Sequence, residues 1–165
     1  MSAPAVEIRE EVRPPDLDAV RAIVTSAGVF SPAEIDVAAE LVAERLAKGA
    51  ASGYEFLFAE TGGRVIGYTC YGPIPATRSS YDLYWIAVAK DAHGRGLGRR
   101  LLAETERRVW ECRGTRVYAE TSGRPDYGPT RRFYERCGYA VAAVLPDFYA
   151  PGDGKVIYVK SRPDS

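Results

Sequence analysis

The chain has 165 residues, 46% of them hydrophobic and 27% charged, which suits one soluble globular domain with a real core and leaves no room for two catalytic lobes. With 22 basic and 22 acidic residues its formal net charge is zero. That balance argues against a broad nucleic-acid or anionic-membrane footprint and leaves open only a local basic pocket.

Val6 to Glu10 reads as a short first strand, broken by Pro14-Pro15. Asp16 starts a helix carrying Leu17, Val20, Ile23 and Val24, and Gly28 ends it. Ser31-Pro32-Ala33-Glu34 is a second helix start, with Ser31 as cap, proline at the first helical position and Glu34 three residues after the cap. Ile35, Ala38, Ala39, Val42 and Leu46 then fall near one face, and Gly49 stops the helix. Tyr54 to Glu60 and Arg64 to Tyr71 flank the turn Thr61-Gly62-Gly63 as an antiparallel hairpin. Gly72 to Ser80 is a loop.

Tyr81 to Val88 is the next strand, with Asp82, Tyr84, Ile86 and Val88 expected on one face and Tyr81, Leu83, Trp85 and Ala87 on the other. A helix from about Leu97 to Cys112 follows, with Gly114 as its stop. Then come a strand from Thr115 to Thr121, a Gly/Pro loop, a helix near Thr130 to Cys137, a strand near Tyr139 to Val144, a polar loop and a last strand from Lys155 to Lys160. The final four or so residues read as a frayed tail. The order of elements gives a single mixed α/β domain over 1–165.

The three cysteines, Cys70, Cys112 and Cys137, match no metal pair and no dithiol motif, and an odd count argues against a disulfide framework. Met1-Ser2-Ala3-Pro4-Ala5 lacks a signal-like apolar run, and no stretch approaches the roughly 18–20 apolar residues that span a membrane. A cytoplasmic protein without a membrane or nucleic-acid partner is therefore expected, and if it self-associates, a homodimer.

The most informative stretch joins the strand ending at Val88 to His93-Gly94-Arg95-Gly96-Leu97-Gly98 and directly to Arg99-Arg100-Leu101-Leu102. A glycine loop opening into a helix offers backbone N–H groups at a positive helix terminus, a site for phosphate or diphosphate. It is not a dinucleotide fingerprint, which sits at the first strand-to-helix turn with Gly-x-Gly-x-x-Gly spacing. The Walker lysine with its serine or threonine is absent too.

His93 to Gly98 resembles the acyl-CoA signature of the GCN5-related N-acetyltransferase (GNAT) superfamily, Gln/Arg-x-x-Gly-x-Gly/Ala, with His93 where Gln or Arg is usual. Phe133-Tyr134-Glu135-Arg136-Cys137-Gly138-Tyr139 resembles that superfamily's Phe-Tyr-x-x-x-Gly-Phe/Tyr segment at the usual distance. The resemblance implies an acyl-CoA N-acyltransferase-like fold, a mostly antiparallel central sheet flanked by helices, and an N-acetyltransferase using acetyl-CoA and releasing coenzyme A. It implies that the main chain around Arg95, Gly96, Leu97, Gly98 and Arg99 holds the diphosphate, with His93 and Gly94 in the same loop and Arg95, Arg99 and Arg100 adding charge. Main-chain groups of Ile86, Ala87 and Val88 would bond the pantetheine arm, and an N–H near Ala87 or Val88 would stabilise the oxyanion.

Acetyl transfer to an amine needs a neutral amine, a stabilised oxyanion and a proton for the leaving thiolate. The resemblance gives Tyr134 the thiolate's proton, and a phenol is protonated at neutral pH. Asp82 stands where the histone-modifying branch has its glutamate base, and Glu120, toward the end of the next strand, is the other candidate acid–base carboxylate. Either would instead hold the substrate ammonium, or pair with an arginine. No partner stands at ligand spacing from His93, the only histidine, so no metal is expected.

Two loops, Ser122 to Arg131 and Asp147 to Gly154, mix aromatic and charged residues suited to a small zwitterion. Tyr84, Asp147 and Tyr149 are the candidate acceptor-binding residues. A small-molecule primary amine or amino acid is the expected acceptor. The alternatives are a protein lysine or N-terminus, and a catalytically inactive acyl-CoA-binding module.

Overall fold

The structure, a computed structural model, describes residues 4–164. Met1–Ala3 of the N-terminal stretch considered above and Ser165 of the tail therefore lie outside the described residues. The elements in chain order are β1 (Glu7–Arg9), α1 (Asp16–Ala27), α2 (Pro32–Lys48), β2 (Glu55–Thr61), β3 (Arg64–Pro73), β4 (Ser80–Val88), α3 (Leu97–Glu111), β5 (Arg116–Ser122), α4 (Gly128–Arg136), β6 (Ala140–Ala150) and β7 (Asp153–Ser161). The seven strands form a mixed, mostly antiparallel sheet in the order β1-β2-β3-β4-β5-β7-β6, flanked by helices. β4 and β5 are its parallel pair. No helix among the described residues is long and apolar enough to cross a membrane, and the three cysteines are free thiols.

The chain divides into two compact units: Met1–Gly72 with Trp85–Thr105, and Pro73–Tyr84 with Glu106–Ser165. In the first, local chemistry places the helices. Ser31 Oγ accepts from Glu34 N–H and Glu34 Oε1 accepts from Ser31 N–H, both at 3.2 Å, so two N–H groups left over by α2 are satisfied reciprocally. Gly28, at φ +76°, closes α1. Asp16 heads α1, but Pro15 occupies the cap position. The buried Asp16 carboxylate instead takes Arg13 N–H at 2.7 Å and the Arg9 guanidinium at 2.8 and 2.9 Å. Val20, Ile23 and Val24 of α1, with Ala38, Ala39 and Val42 of α2, are buried, whereas Leu46, in the last turn of α2, is exposed.

The rings of Phe56, Phe58 and Tyr68 stack across β2 and β3 with centroids 5.6–6.4 Å apart. On the opposite parity, Leu57 pairs with Thr69, whose hydroxyl meets that of Thr105 in α3 at 2.8 Å. Gly67 lies on that side, where a Cβ would come within 3.1 Å of Leu101 and 3.3 Å of the Ala87 carbonyl. A side chain there would need Leu101 and the Ala87 carbonyl to give by a few tenths of an ångström, so glycine suits the close approach of α3 and β4 to β3.

In the second unit, β4 and β5 run in register from Ser80↔Arg116 to Leu83↔Ala119, and β5 pairs with β7 from Arg116↔Ser161 to Ser122↔Lys155. A Cβ at Gly114 would overlap Val109 and Tyr81, so glycine is required where the chain turns from α3 toward β5. Arg162, expected in the frayed tail, donates its N–H to Thr115 O at 3.0 Å.

One expectation is corrected. The polar stretch after Val144 is strand: β6 continues to Ala150 and β7 begins at Asp153. Its pairing is irregular between Leu145↔Lys155 and Ala150↔Asp153, which is why its sequence carries turn residues.

Candidate functional site

Beyond Val88 the chain makes a tight 3-10 turn at Lys90–Ala92, pinned by Ala89 N–H to Ile66 O at 2.8 Å. His93 then turns back, its Nε2 2.8 Å from Val88 O. A carbonyl only accepts, so Nε2 carries the proton and the ring braces the loop to the strand end. Sequence reasoning placed His93 beside the phosphate and missed this brace.

Gly94 and Gly96 adopt φ +79° and +73°, and a Cβ at either would meet nothing within 4 Å. Glycine there is demanded by the left-handed backbone, with the surrounding space open. Leu97 is buried and anchors the start of α3, whose first ladder bond runs from Arg100 N–H to Gly96 O at 3.1 Å. The N–H groups of Gly96, Leu97 and Gly98 precede that ladder, so they have no acceptor within the helix and lie at its positive end. Arg95, Arg99 and Arg100 are exposed, and Arg100 is drawn to Val6 O at 3.0 Å. Phe30 of the α1–α2 connection meets Trp85 edge-on at 5.1 Å, an aromatic pair between residues 55 positions apart that no local sequence signal joins.

The acid–base candidates of the second unit share a face. Asp82 pairs with Tyr118 in register, and Glu120 lies two residues further along β5. Glu120 pairs with Ile157, and Ser122 with Lys155, so Asp82, Glu120 and Lys155 point to the same side of the sheet. Lys155 Nζ lies 2.7 Å from Glu120 Oε2. It also sits 3.8 Å from the centroid of the Phe148 ring and 5.7 Å from that of Tyr149. Asp82 is half-buried. That burial, and next the charge of Glu120, raise its carboxyl above the ordinary range, while Lys155 works the other way.

Of the acceptor-loop candidates, Tyr84 is 36% exposed and Tyr149 49% exposed. The Asp147 carboxylate takes Gly152 N–H at 2.7 Å and so braces the β6–β7 turn, with its own φ at +55°. Arg131 also braces, donating to Ser122 O and Arg124 O at 2.8 and 2.9 Å. Ser122 Oγ donates to Asp153.

Tyr134 lies on the other side of this part of the sheet. Its ring packs at 5.5–5.6 Å against Phe133, Tyr139 and Tyr158, and Tyr158 alternates with Ile157, the partner of Glu120. Tyr134 is buried, and burial pushes its phenol above the ordinary value, which keeps it protonated at neutral pH. Behind it is a network that sequence reasoning missed. Glu106 accepts from Tyr139 Oη at 2.8 Å and from Lys160 Nζ at 2.9 Å, and Lys160 also donates to Cys137 O at 2.8 Å. Tyr139 N–H bonds Tyr134 O at 3.0 Å, tying the network to the end of α4.

A cavity of about 730 Å³ in the first unit, lined in part by Arg9, Asp16, Ser26, Glu60, Arg64 and Lys90, contains none of the residues expected to act on donor or acceptor. Its charges are largely paired, Arg9 with Asp16 and Glu60, and Arg64 with Asp91.

The family model for the acetyltransferase (GNAT) domain matches residues 52–141. A crystal structure from Desulfovibrio desulfuricans, assigned to the GNAT family as an acetyltransferase, is 53% identical, with a TM-score of 0.94, covering 95% of this chain and 99% of that one. The blasticidin-S acetyltransferase of Streptomyces morookaense is 39% identical over 82 residues, 48% of this chain and 54% of that protein. An aminoglycoside 6'-N-acetyltransferase complexed with coenzyme A shares the fold at 20% identity, with a TM-score of 0.75, covering 96% of this chain and 99% of that one.

Proposed function

The chain belongs to the GNAT acetyltransferase family, and from that premise we propose that it transfers the acetyl group of acetyl-CoA to the primary amine of a small molecule. The observation that carries this reading is the loop after β4, where Gly94 and Gly96 take left-handed conformations with open space around them at the start of α3. That geometry suits a diphosphate, which needs backbone N–H groups brought close with no side chain in the way. Arg95 and Arg99, exposed beside it, would add charge. The small-molecule acceptor is supported by the blasticidin-S enzyme among the similar proteins.

Acetyl-CoA supplies the activated acyl group; the chain's own residues manage protons. An amine attacks only when neutral, so its ammonium must be stripped. Asp82 is the carboxylate we assign to that step. Its raised affinity for a proton brings it nearer the amine's range, and Glu120, held by Lys155, is the neighbour that helps to raise it. Tyr134 Oη holds the proton suited to a departing thiolate.

The test is release of free CoA thiol from acetyl-CoA over a panel of amines, with a no-amine control because Cys112 is an exposed thiol. Amine-dependent release with mass-confirmed N-acetyl product is expected. CoA binding with no turnover on any amine would instead identify an inactive binder, and turnover only on proteins would move the acceptor to a lysine or N-terminus.

A further inference from the structure

We propose that Lys155 is a built-in cation that fixes the charge of the acceptor, admitting monoamines with a neutral or anionic remainder and turning away polycations. The inference rests on the acetyltransfer reading and deepens it.

The ammonium of Lys155 is held as a ligand ammonium would be held. One carboxylate oxygen, Glu120 Oε2, lies 2.7 Å away, and the Phe148 and Tyr149 rings lie 3.8 and 5.7 Å from it. A carboxylate beside aromatic faces is the surrounding that recognises an organic cation. Here the chain fills it with its own side chain, which is only 12% exposed. Phe148 and Tyr149 themselves are half exposed, so they cover Lys155 from the solvent side while remaining accessible.

Asp82, Glu120 and Lys155 share one face of β4, β5 and β7, and two carboxylates with one ammonium leave that trio a single net negative charge, enough for one ammonium. Glu120 is paired with Lys155 and Asp153 with Arg124, whereas Asp147 accepts Gly152 N–H, a bond that turns the carboxylate into the β6–β7 turn and leaves its charge in place. Asp82 has no ion pair or hydrogen-bond donor on it among the described residues. A second cationic group moving toward Glu120 would meet an ammonium already seated, and like charges at such range repel. An acceptor carboxylate would find Lys155 attractive instead.

The experiment measures kcat/KM by CoA-thiol release for matched acceptors: tyramine and 2-phenylethylamine, the α-amino acids phenylalanine and glycine, and the polycations spermidine and kanamycin. The best monoamine or amino acid should exceed the best polycation by at least tenfold in the wild-type protein. Lys155→Met and Lys155→Gln should shrink that ratio about tenfold, and Lys155→Arg should preserve it. Because the ratio is taken within one preparation, partial loss of folded protein cancels, and the wild-type ratio stands even if a neutral variant does not fold. Wild-type preference for polycations, or an unchanged ratio in the neutral variants, overturns the inference and leaves acetyl transfer standing. No turnover with any amine, while CoA still binds, overturns the acetyltransfer reading and this inference with it.

Discussion

Replacing Lys160 by methionine probes the network behind Tyr134. The substitution keeps most of the stem and removes the ammonium, which bonds Glu106 at 2.9 Å and Cys137 O at 2.8 Å and lies 5.7 Å from the Tyr139 ring. The Glu106 side chain, only 8% exposed, would keep Tyr139 Oη but lose its counter-ion. Breaking a buried ion pair from one side costs about 3–5 kcal/mol. Lys160 is 25% exposed, and water screens part of that loss. About 2–3 kcal/mol is therefore expected, or a fall of roughly 4–12 °C in Tm for a chain of this size. The sharper expectation concerns the pair. Glu106→Gln removes the stranded charge and keeps an acceptor for Tyr139, so Lys160→Met with Glu106→Gln should be more stable than Lys160→Met alone. Thermal and urea unfolding followed by far-UV circular dichroism measure both. A Lys160→Met variant within about 0.5 kcal/mol of wild type would refute the reasoning, as would a double variant that loses the sum of its parts, because independent sites add and coupled ones do not.

Three further outcomes are expected. Tyr134→Phe should lower kcat about 100-fold or more with the CoA dissociation constant within about twofold; an unchanged kcat removes its proton role. Gly96→Val places a branched side chain at φ +73° and should weaken CoA binding by about tenfold or more in calorimetric titration, while normal affinity would take the diphosphate away from this loop. Asp82 binds its proton more tightly in the fold than its ordinary value of about 3.9 implies, so a base at this position gives activity that rises with pH through that raised value, an acid limb that Asp82→Asn should abolish. The same linkage makes the stability contributed by protonated Asp82 complete below its unfolded value and lost as pH rises through its folded value. Asp82→Asn should thus be at least as stable as wild type at pH 7, with any advantage vanishing below about pH 4, and a clearly less stable variant at pH 7 would contradict the burial argument.

Local signals in the sequence survive in the structure where they rest on local physics. Ser31 and Glu34 form their reciprocal cap, Gly28 ends α1, and Gly94 and Gly96 need the left-handed backbone that a loop gripping an anion would use. These depend on residues a few positions apart. The far end of β6 was not legible because its strand character is imposed from outside. Pro146, Asp147 and Gly152 are turn formers, yet the stretch is drawn out beside β7, with the Asp147 carboxylate tying the hairpin across five residues.

Lys155 shows why charge partners are the hardest feature to read from sequence. In the sequence it is one polar residue of a strand, 35 positions from Glu120. The β5–β7 register, with Ser122 opposite Lys155 and Glu120 opposite Ile157, delivers it to the carboxylates. A slip of one residue would carry Lys155 to the face of Tyr158 and Tyr134 and bring Val156 beside Glu120. What prevents the slip is apolar: Val117, Ala119 and Tyr158 are at most 1% exposed on the opposite face, and displacing them would put their side chains in water. The charges of the acceptor face are thus positioned by the core behind them. A core variant that loosens that register, such as Tyr158→Ala, should disturb acceptor preference through Lys155 although no charged residue is replaced.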